Sequence, residues 1–316
     1  MSAASMLRLG AALALAAAVA LAALLAGALA AGHGGRALGC GGALAGLVLA
    51  HPLVLALETA LARHAAWRQP ARGPHPSPAP WRTWVAAWRA EVPVSLRAFA
   101  WRMPWRARAE PDHLPPGAQG RRGVLLVHGY LCNRGLWNGW IARLRAQGVP
   151  VVAVDLEPVL GRIEDTVRAI EAGVQRLEAC TGVPPLVVAH SMGGLALRCW
   201  WAAHGGDARL HHAVTLGTPH QGTRLARFGL SPNARQMRPA SPWLQALAAR
   251  EPAGRAARCT CVVAACDNVV FPTPLAAWPG AAVVTVEGAA HLGLLDRPEA
   301  WSVVMRALST GARPAG

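Results

Sequence analysis

The chain has 316 residues, 53% of them apolar, and a formal charge of +15 in which every basic residue is arginine. That length accommodates one large α/β domain with an appendage, and the apolar content excludes an intrinsically disordered chain. The charge is unevenly placed: residues 63–122 hold 11 Arg against 3 acids, whereas residues 123–316 hold 18 against 12. An excess concentrated just behind an apolar N-terminus, with no RNA- or DNA-binding motif, favours anionic lipid headgroups over nucleic acid, so no nucleic-acid partner is expected.

From Leu9 to Ala31 no charge interrupts 23 residues, enough helix to cross a hydrocarbon core of about 30 Å. After the turn at Gly32-His33-Gly34-Gly35-Arg36 a second apolar run extends from Ala37 to Leu57, broken only by His51-Pro52. The pair predicts a transmembrane hairpin. A cleaved leader ending near Ala28-Leu29-Ala30 is the competing reading, disfavoured by the length of the first run and the presence of the second. Arg63, Arg68, Arg72, Arg82 and Arg89 follow the second span, while only His33 and Arg36 lie in the turn. The positive-inside rule then predicts an inner-membrane protein whose later residues are cytoplasmic, with export after leader cleavage as the alternative.

A Pro-rich stretch, Gln69 to Pro80, predicts a semi-rigid linker. Beyond it arginine and tryptophan interleave, and Trp81, Trp84 and Trp88 fall on one helical face. Such a face suits a helix lying in a membrane interface, or equally a cap over a neighbouring core. The cysteines, seven in number, are spaced neither as a disulfide framework nor as metal-ligand pairs. They read as small buried hydrophobes.

From residue 123 onward, six valine-rich runs (123–129, 149–156, 185–191, 212–218, 259–267 and 281–288) alternate with amphipathic segments. In 162–182, for example, Ile163, Val167, Ile170, Val174 and Leu177 share one helical side. Continuous apolar runs predict strands buried on both faces of a parallel sheet. Such doubly wound folds bind ligands beyond the carboxyl ends of their strands. Reactive residues stand at those ends: His128-Gly129-Tyr130, His190-Ser191-Met192, Cys266-Asp267-Asn268, and His291 shortly after the last run.

Ser191, Asp267 and His291 thus occur in the order nucleophile, acid, histidine. A serine hydroxyl is barely ionised at neutral pH, so a histidine must take its proton and an acid must hold that histidine's tautomer. Around Ser191 the sequence is Ala189-His190-Ser191-Met192-Gly193-Gly194. Small residues flank the serine as a strained strand-to-helix elbow requires, with Ala189 where glycine is customary, a difference of one methyl. A serine opening a helix is also an ordinary N-cap, and Glu287 and Asp296 compete with Asp267 for the acid. The backbone N–H groups of Met192 and Tyr130 are the positional candidates for an oxyanion hole, each worth about 3 kcal/mol in a transition state.

Residues 122–310 resemble the α/β-hydrolase family and, within it, bacterial triacylglycerol lipases. The resemblance is carried by "VLLVHGY", "VVAVDLEP", "AHSMGG", "TLGTPHQGT", "QMRPASPWLQAL" and "GAAHLGLL". It implies an α/β-hydrolase fold, Ser191 as nucleophile, His291 as base, Asp267 as orienting acid, and Tyr130 and Met192 as oxyanion donors. Where larger secreted lipases carry a calcium-binding aspartate two residues after the histidine, this chain has Gly293, so no metal and no cofactor is expected. Leu225 to Ala257, with Leu230, Met237, Trp243, Leu244 and Leu247, reads as an apolar cap over an acyl pocket or as core packing.

The sequence therefore predicts a two-helix anchor over 1–62, a Pro/Arg/Trp-rich linker and arm over 63–122, and a catalytic domain over 123–312. The predicted activity is serine-dependent hydrolysis of acyl esters, lipid-like or close to the bilayer. A thioesterase or acyltransferase would use the same residues. A non-catalytic membrane protein with a hydrolase-like binding domain would not need every catalytic position filled.

Overall fold

A computed structural model describes residues 1–68, 79–204 and 207–310. All but the last two residues of the predicted linker lie outside the described residues. All six apolar runs form strands: β1 Val124–Val127, β2 Val151–Val154, β3 Leu186–His190, β4 His212–Leu216, β5 Cys259–Ala264 and β6 Ala282–Val286. They make one wholly parallel sheet in the order β2-β1-β3-β4-β5-β6. The chain steps outward from β1 to β2, then crosses back to place β3 on the other side of β1. That reversal opens a crevice at the carboxyl ends of β1 and β3.

Alternate strand residues feed two separate cores, as the period of two dictates. Leu125, Val127, Val152 and Val187 face one layer, built by α6 (Val167–Thr181) and α7 (Met192–Ala203). Val124, Leu126, Val151 and Val188 face the other, built by α5 (Asn138–Ala146) and α10 (Pro298–Ser309). Ile163, Val167, Ile170, Val174 and Leu177 are all buried, as their spacing predicted. The free edge of β2 is closed by an antiparallel bridge from His113 to Val151. At the other edge β6 is partly open, with Val283 44% exposed, so this valine-rich run is not buried on both faces.

At the N-terminus α1 (Ala3–Ala30) and α2 (Gly34–Trp67) are joined by a tight turn and pack on each other. Both are long and apolar enough to cross a membrane, and Leu9, Leu13, Leu15, Val19, Leu24 and Leu38 are each more than half exposed. From its midpoint at His51 onward α2 behaves differently. It packs along α3 (Trp81–Leu96): the Trp88 indole donates to the Pro52 carbonyl at 3.0 Å, and Ser95 Oγ lies 2.6 Å from His51 Nε2. Near its start α1 is also tied down, through Arg8 Nε donating to the carbonyl of Pro104 in α4 (Met103–Trp105).

The tryptophan face of α3 is divided between core and solvent. Trp84 is buried with Ala62, Ala65, Ala87, Cys266, Phe271 and Ala290 in a third apolar cluster, and Trp88 is half-buried. Exposed indoles are instead Trp67, Trp81, Trp101 and Trp105. Arg63, Arg82 and Arg8 lie over Trp67, Trp81 and Trp105 respectively, at 5.4–5.6 Å. Most of the expected cap is core as well. Met237, Leu244 and Leu247, on and beside α8 (Pro232–Gln236) and α9 (Pro242–Ala249), join the main apolar cluster. Phe228 and Leu230 remain exposed at 74% and 79%.

Candidate active site

β3 runs directly into α7 through Ser191, which sits at φ 54° and ψ −131°. A non-glycine residue there is strained, and the neighbouring residues make room for it. A Cβ on Gly193 would collide with the backbone carbonyls of Val127 and His128, and one on Gly194 with the Thr218 side chain. Ala189 is fully buried in the main core, which accommodates its extra methyl without displacing the strand from β1 or β4.

Asp267 follows β5 and His291 follows β6, and the two meet at 3.0 Å between Oδ2 and Nδ1. The other carboxylate oxygen, Oδ1, accepts the amides of Val269 and Val270 at 2.9 and 2.7 Å. Donating from Nδ1 leaves Nε2 of a neutral His291 as the free base. Burial alone would lower the His291 pKa, but Asp267, with Glu91 and the charge of Glu58 behind it, holds it above its ordinary value near 6.5. Gly217, at φ 57°, lies over this pair: a Cβ there would stand 3.2 Å from His291 Nδ1 and 3.3 Å from Asp267 Oδ2. The alternative acids, Glu287 and Asp296, are both exposed.

Ser191 is tied to the neighbouring strand: its amide donates to the carbonyl of Leu216, next to Gly217, at 2.9 Å. The ring of His190 lies 4.6 Å from that of His291. Among the described residues the Ser191 hydroxyl makes no hydrogen bond. Catalytic hydrogen bonds in unliganded hydrolases are commonly loose and tighten around a substrate. The serine and the histidine are both 5% exposed.

The loop after β1 touches the serine, since a Cβ on Gly129 would lie 2.7 Å from Ser191 Cβ. His128 fixes this loop. Its Nδ1 donates to the Gly129 carbonyl and its Nε2 accepts the Leu156 amide, both at 2.9 Å. Burial keeps His128 neutral, and it keeps His190 neutral more strongly still. Tyr130 comes next, its hydroxyl 3.0 Å from Ser231 Oγ at the start of α8. Met192 is the first residue of α7, so its N–H has no partner within the helix and points toward the crevice end with the helix dipole.

Among the described residues, one buried group outside this constellation offers metal-type donors. His220, Cys259 and Cys261 bring their ligand atoms within 4.8 Å of one another. The cysteines open β5, whereas Asp267 follows its opposite end. His220 Nε2 is 2.9 Å from Thr215 Oγ1, and its ring stacks on Trp278.

Sequence reasoning missed Glu91 and Glu58 and gave Asn268 no role, and these three surround the backbone of the His291 loop. One signal was available: Glu91 is the sole carboxylate between Glu58 and Glu110, in a stretch otherwise rich in arginine.

Residues 124–302 match the model of the alpha/beta hydrolase family. No curated protein sequence matches the chain. Among solved structures, the mature form of Bacillus licheniformis lipase BlEst2 aligns with a TM-score of 0.51 at 16% identity, over 63% of this chain and 95% of that one. Its propeptide form aligns at 0.53 and 15%, over 64% and 54%. Aspergillus fumigatus lipase B aligns at 0.51 and 18%, over 65% and 57%, so this chain spans little more than half of the latter two. At such identities the likeness concerns the fold, and with the family match it establishes that the chain belongs to the alpha/beta hydrolase family.

Proposed function

We propose that the protein is a membrane-anchored serine hydrolase of acyl esters. The observation that carries this reading is the buried Asp267–His291 hydrogen bond beside a serine held at positive φ. Ser191 Oγ attacks the ester carbonyl carbon while His291 Nε2 takes its proton. The tetrahedral oxyanion is held by the N–H groups of Met192 and Tyr130. As the intermediate collapses the C–O bond breaks, His291 returns the proton to the departing alcohol, and an acyl-enzyme remains on Ser191. Water, deprotonated by His291, then releases the acid and restores the serine.

A fluorophosphonate probe applied to membranes containing the protein is expected to label wild type and not Ser191→Ala. Equal labelling of the two, or labelling of neither, would remove the nucleophile. The pH profile offers an independent check. His291 must be neutral to act as base and its pKa is raised. The acid limb of kcat/KM is therefore expected to have its midpoint above the ordinary histidine value, with activity increasing as pH rises through it. A midpoint below that value would argue against an anionic surround.

In this reading residues 1–62 anchor the chain, 63–122 form the arm and 123–312 the catalytic domain. Supporting the anchor are the two exposed apolar helices and the arginine-covered indoles Trp67, Trp81 and Trp105, which suit the headgroup layer. Arginines flanking α2 favour a cytoplasmic catalytic domain at the inner membrane. A reporter fused to the C-terminus should then be active only in the cytoplasm, and activity confined to the periplasm would reverse the topology. The anchor favours lipid-like or bilayer-partitioned acyl esters as substrates.

A further inference from the structure

Glu91 is the only carboxylate on α3, and it points into the protein. It is 2% exposed, on the face that carries Trp84, Ala87 and Ser95. Its Oε1 accepts the Leu292 amide at 2.7 Å, and its Oε2 accepts the Gly293 amide at 2.8 Å. These residues directly follow His291 and lead into the 3-10 turn Gly293–Asp296. The first N–H groups of such a turn have no partner inside it, and a carboxylate meets that need with two charge-assisted hydrogen bonds. Gly293 permits the approach: a Cβ there would stand 3.2 Å from Glu91 Oε2.

A second tether comes from α2. Glu58 Oε2 accepts Asn268 Nδ2 at 2.9 Å, and Asn268 Oδ1 accepts the His291 amide at 3.3 Å. Three consecutive amides, those of His291, Leu292 and Gly293, are therefore held by side chains. Two of them hang directly on the arm helix, and the third traces through Asn268 to the anchor helix. The preceding residues, Gly288-Ala289-Ala290, have little side chain with which to orient the loop themselves.

We propose that Glu91, supported by Glu58 acting through Asn268, is a positioning residue for the acyl-transfer reaction. In this arrangement the N-terminal helices hold the His291 loop in register with Ser191 and set negative charge behind the imidazolium that forms in the transition state. The site is incomplete without the anchored segment. This inference rests on the reading of Ser191, Asp267 and His291 as a triad.

The charged and titratable groups that face His291 are Asp267 after β5, Glu91 on α3, Glu58 on α2 and the neutral His190 at the end of β3. Burial raises the Glu91 pKa, opposed by the two backbone amides and by His291. Because both Glu91 oxygens already accept N–H groups, the ionised carboxylate is the form that fits. Displacing a catalytic group by about 1 Å costs on the order of 10²-fold in rate, which sets the scale for losing the tether.

The test uses the full-length protein in detergent micelles, measuring fluorophosphonate labelling rate and p-nitrophenyl ester hydrolysis. Wild type, Ser191→Ala, Glu91→Ala, Glu91→Gln and Glu58→Gln are compared. Glu91→Ala is expected to lower kcat roughly 10²-fold with KM little changed. Glu91→Gln keeps an acceptor for one amide but sets its NH2 against the other N–H, so only part of kcat should return. It removes a negative charge near His291, however, so the acid limb should move to lower pH, and Glu58→Gln should move it the same way by less. Packing alone would shift the melting temperature and leave that limb in place. If Glu91→Ala does not fold, Glu91→Gln decides. Wild-type kcat and an unmoved limb in Glu91→Gln, with wild type labelled at Ser191, overturn the positioning role alone. A wild type that is unlabelled, or labelled no more than Ser191→Ala, overturns the triad and this inference together.

Discussion

Replacing Ser191 by alanine is expected to lower ester turnover roughly 10⁶-fold, with the melting temperature nearly unchanged. The hydroxyl makes no hydrogen bond among the described residues, so its removal leaves no buried partner unsatisfied. Alanine keeps the Cβ and therefore the same backbone strain at φ 54°. The elbow, with Gly193 and Gly194 against β1 and Thr218, should be undisturbed. What disappears is the atom proposed to form the acyl-enzyme. The oxyanion donors remain, so a residual rate above that in water should persist. If Ser191 and His291 act as one unit, as proposed, the double variant Ser191→Ala/His291→Ala should be scarcely slower than either single variant. Steady-state kinetics beside thermal melting checks this, and a folded Ser191→Ala protein with near wild-type turnover would rule out the mechanism.

Asp267→Asn should cost about 10⁴-fold in kcat, for a reason that lies in the proton and not the shape. The asparagine oxygen can still accept the Val269 and Val270 amides that Oδ1 accepts now. Its amino group must then face His291 Nδ1, where Oδ2 stands. A donor in that place requires Nδ1 to accept, which moves the histidine's proton to Nε2. The ring then presents a proton to Ser191 instead of a lone pair. Removing the charge also removes the largest influence that raises the His291 pKa against burial, so the acid limb should fall to lower pH. Measuring kcat against pH tests both effects together. If Asp267→Asn retained turnover close to wild type, another acid would have to orient His291.

Much of the candidate site was legible because its signals are local. Each of the six valine-rich runs became a strand, and a parallel sheet delivers its strand ends to one side. Ser191, Asp267 and His291 could therefore be picked by position in the chain. His128 was legible as a residue ending an apolar strand, and the structure shows it holding the loop after β1. The direction of α3 was less legible. Its Trp81, Trp84 and Trp88 suited a membrane interface and a protein core equally, and burial of Trp84 was decided by Ala62, Ala65 and Phe271 lying opposite. The stretch with Leu244 and Leu247 likewise looked like a cap until the main core enclosed it.

By itself the sequence determined the alternation of strand and helix, the strand-to-helix turn at Ser191, the chain order of the proposed nucleophile, acid and histidine, and the two apolar N-terminal helices. Those follow from periodicity, from residue size at a strained turn and from the length of uncharged runs. Only the tertiary structure decided that Glu91 meets the amides of Leu292 and Gly293, about two hundred positions along the chain, and that Glu58 reaches Asn268. A lone acid on an amphipathic helix carries no local mark of its partner. Its partner is set by which helix face the core of another segment covers, and that depends on the packing of the whole chain.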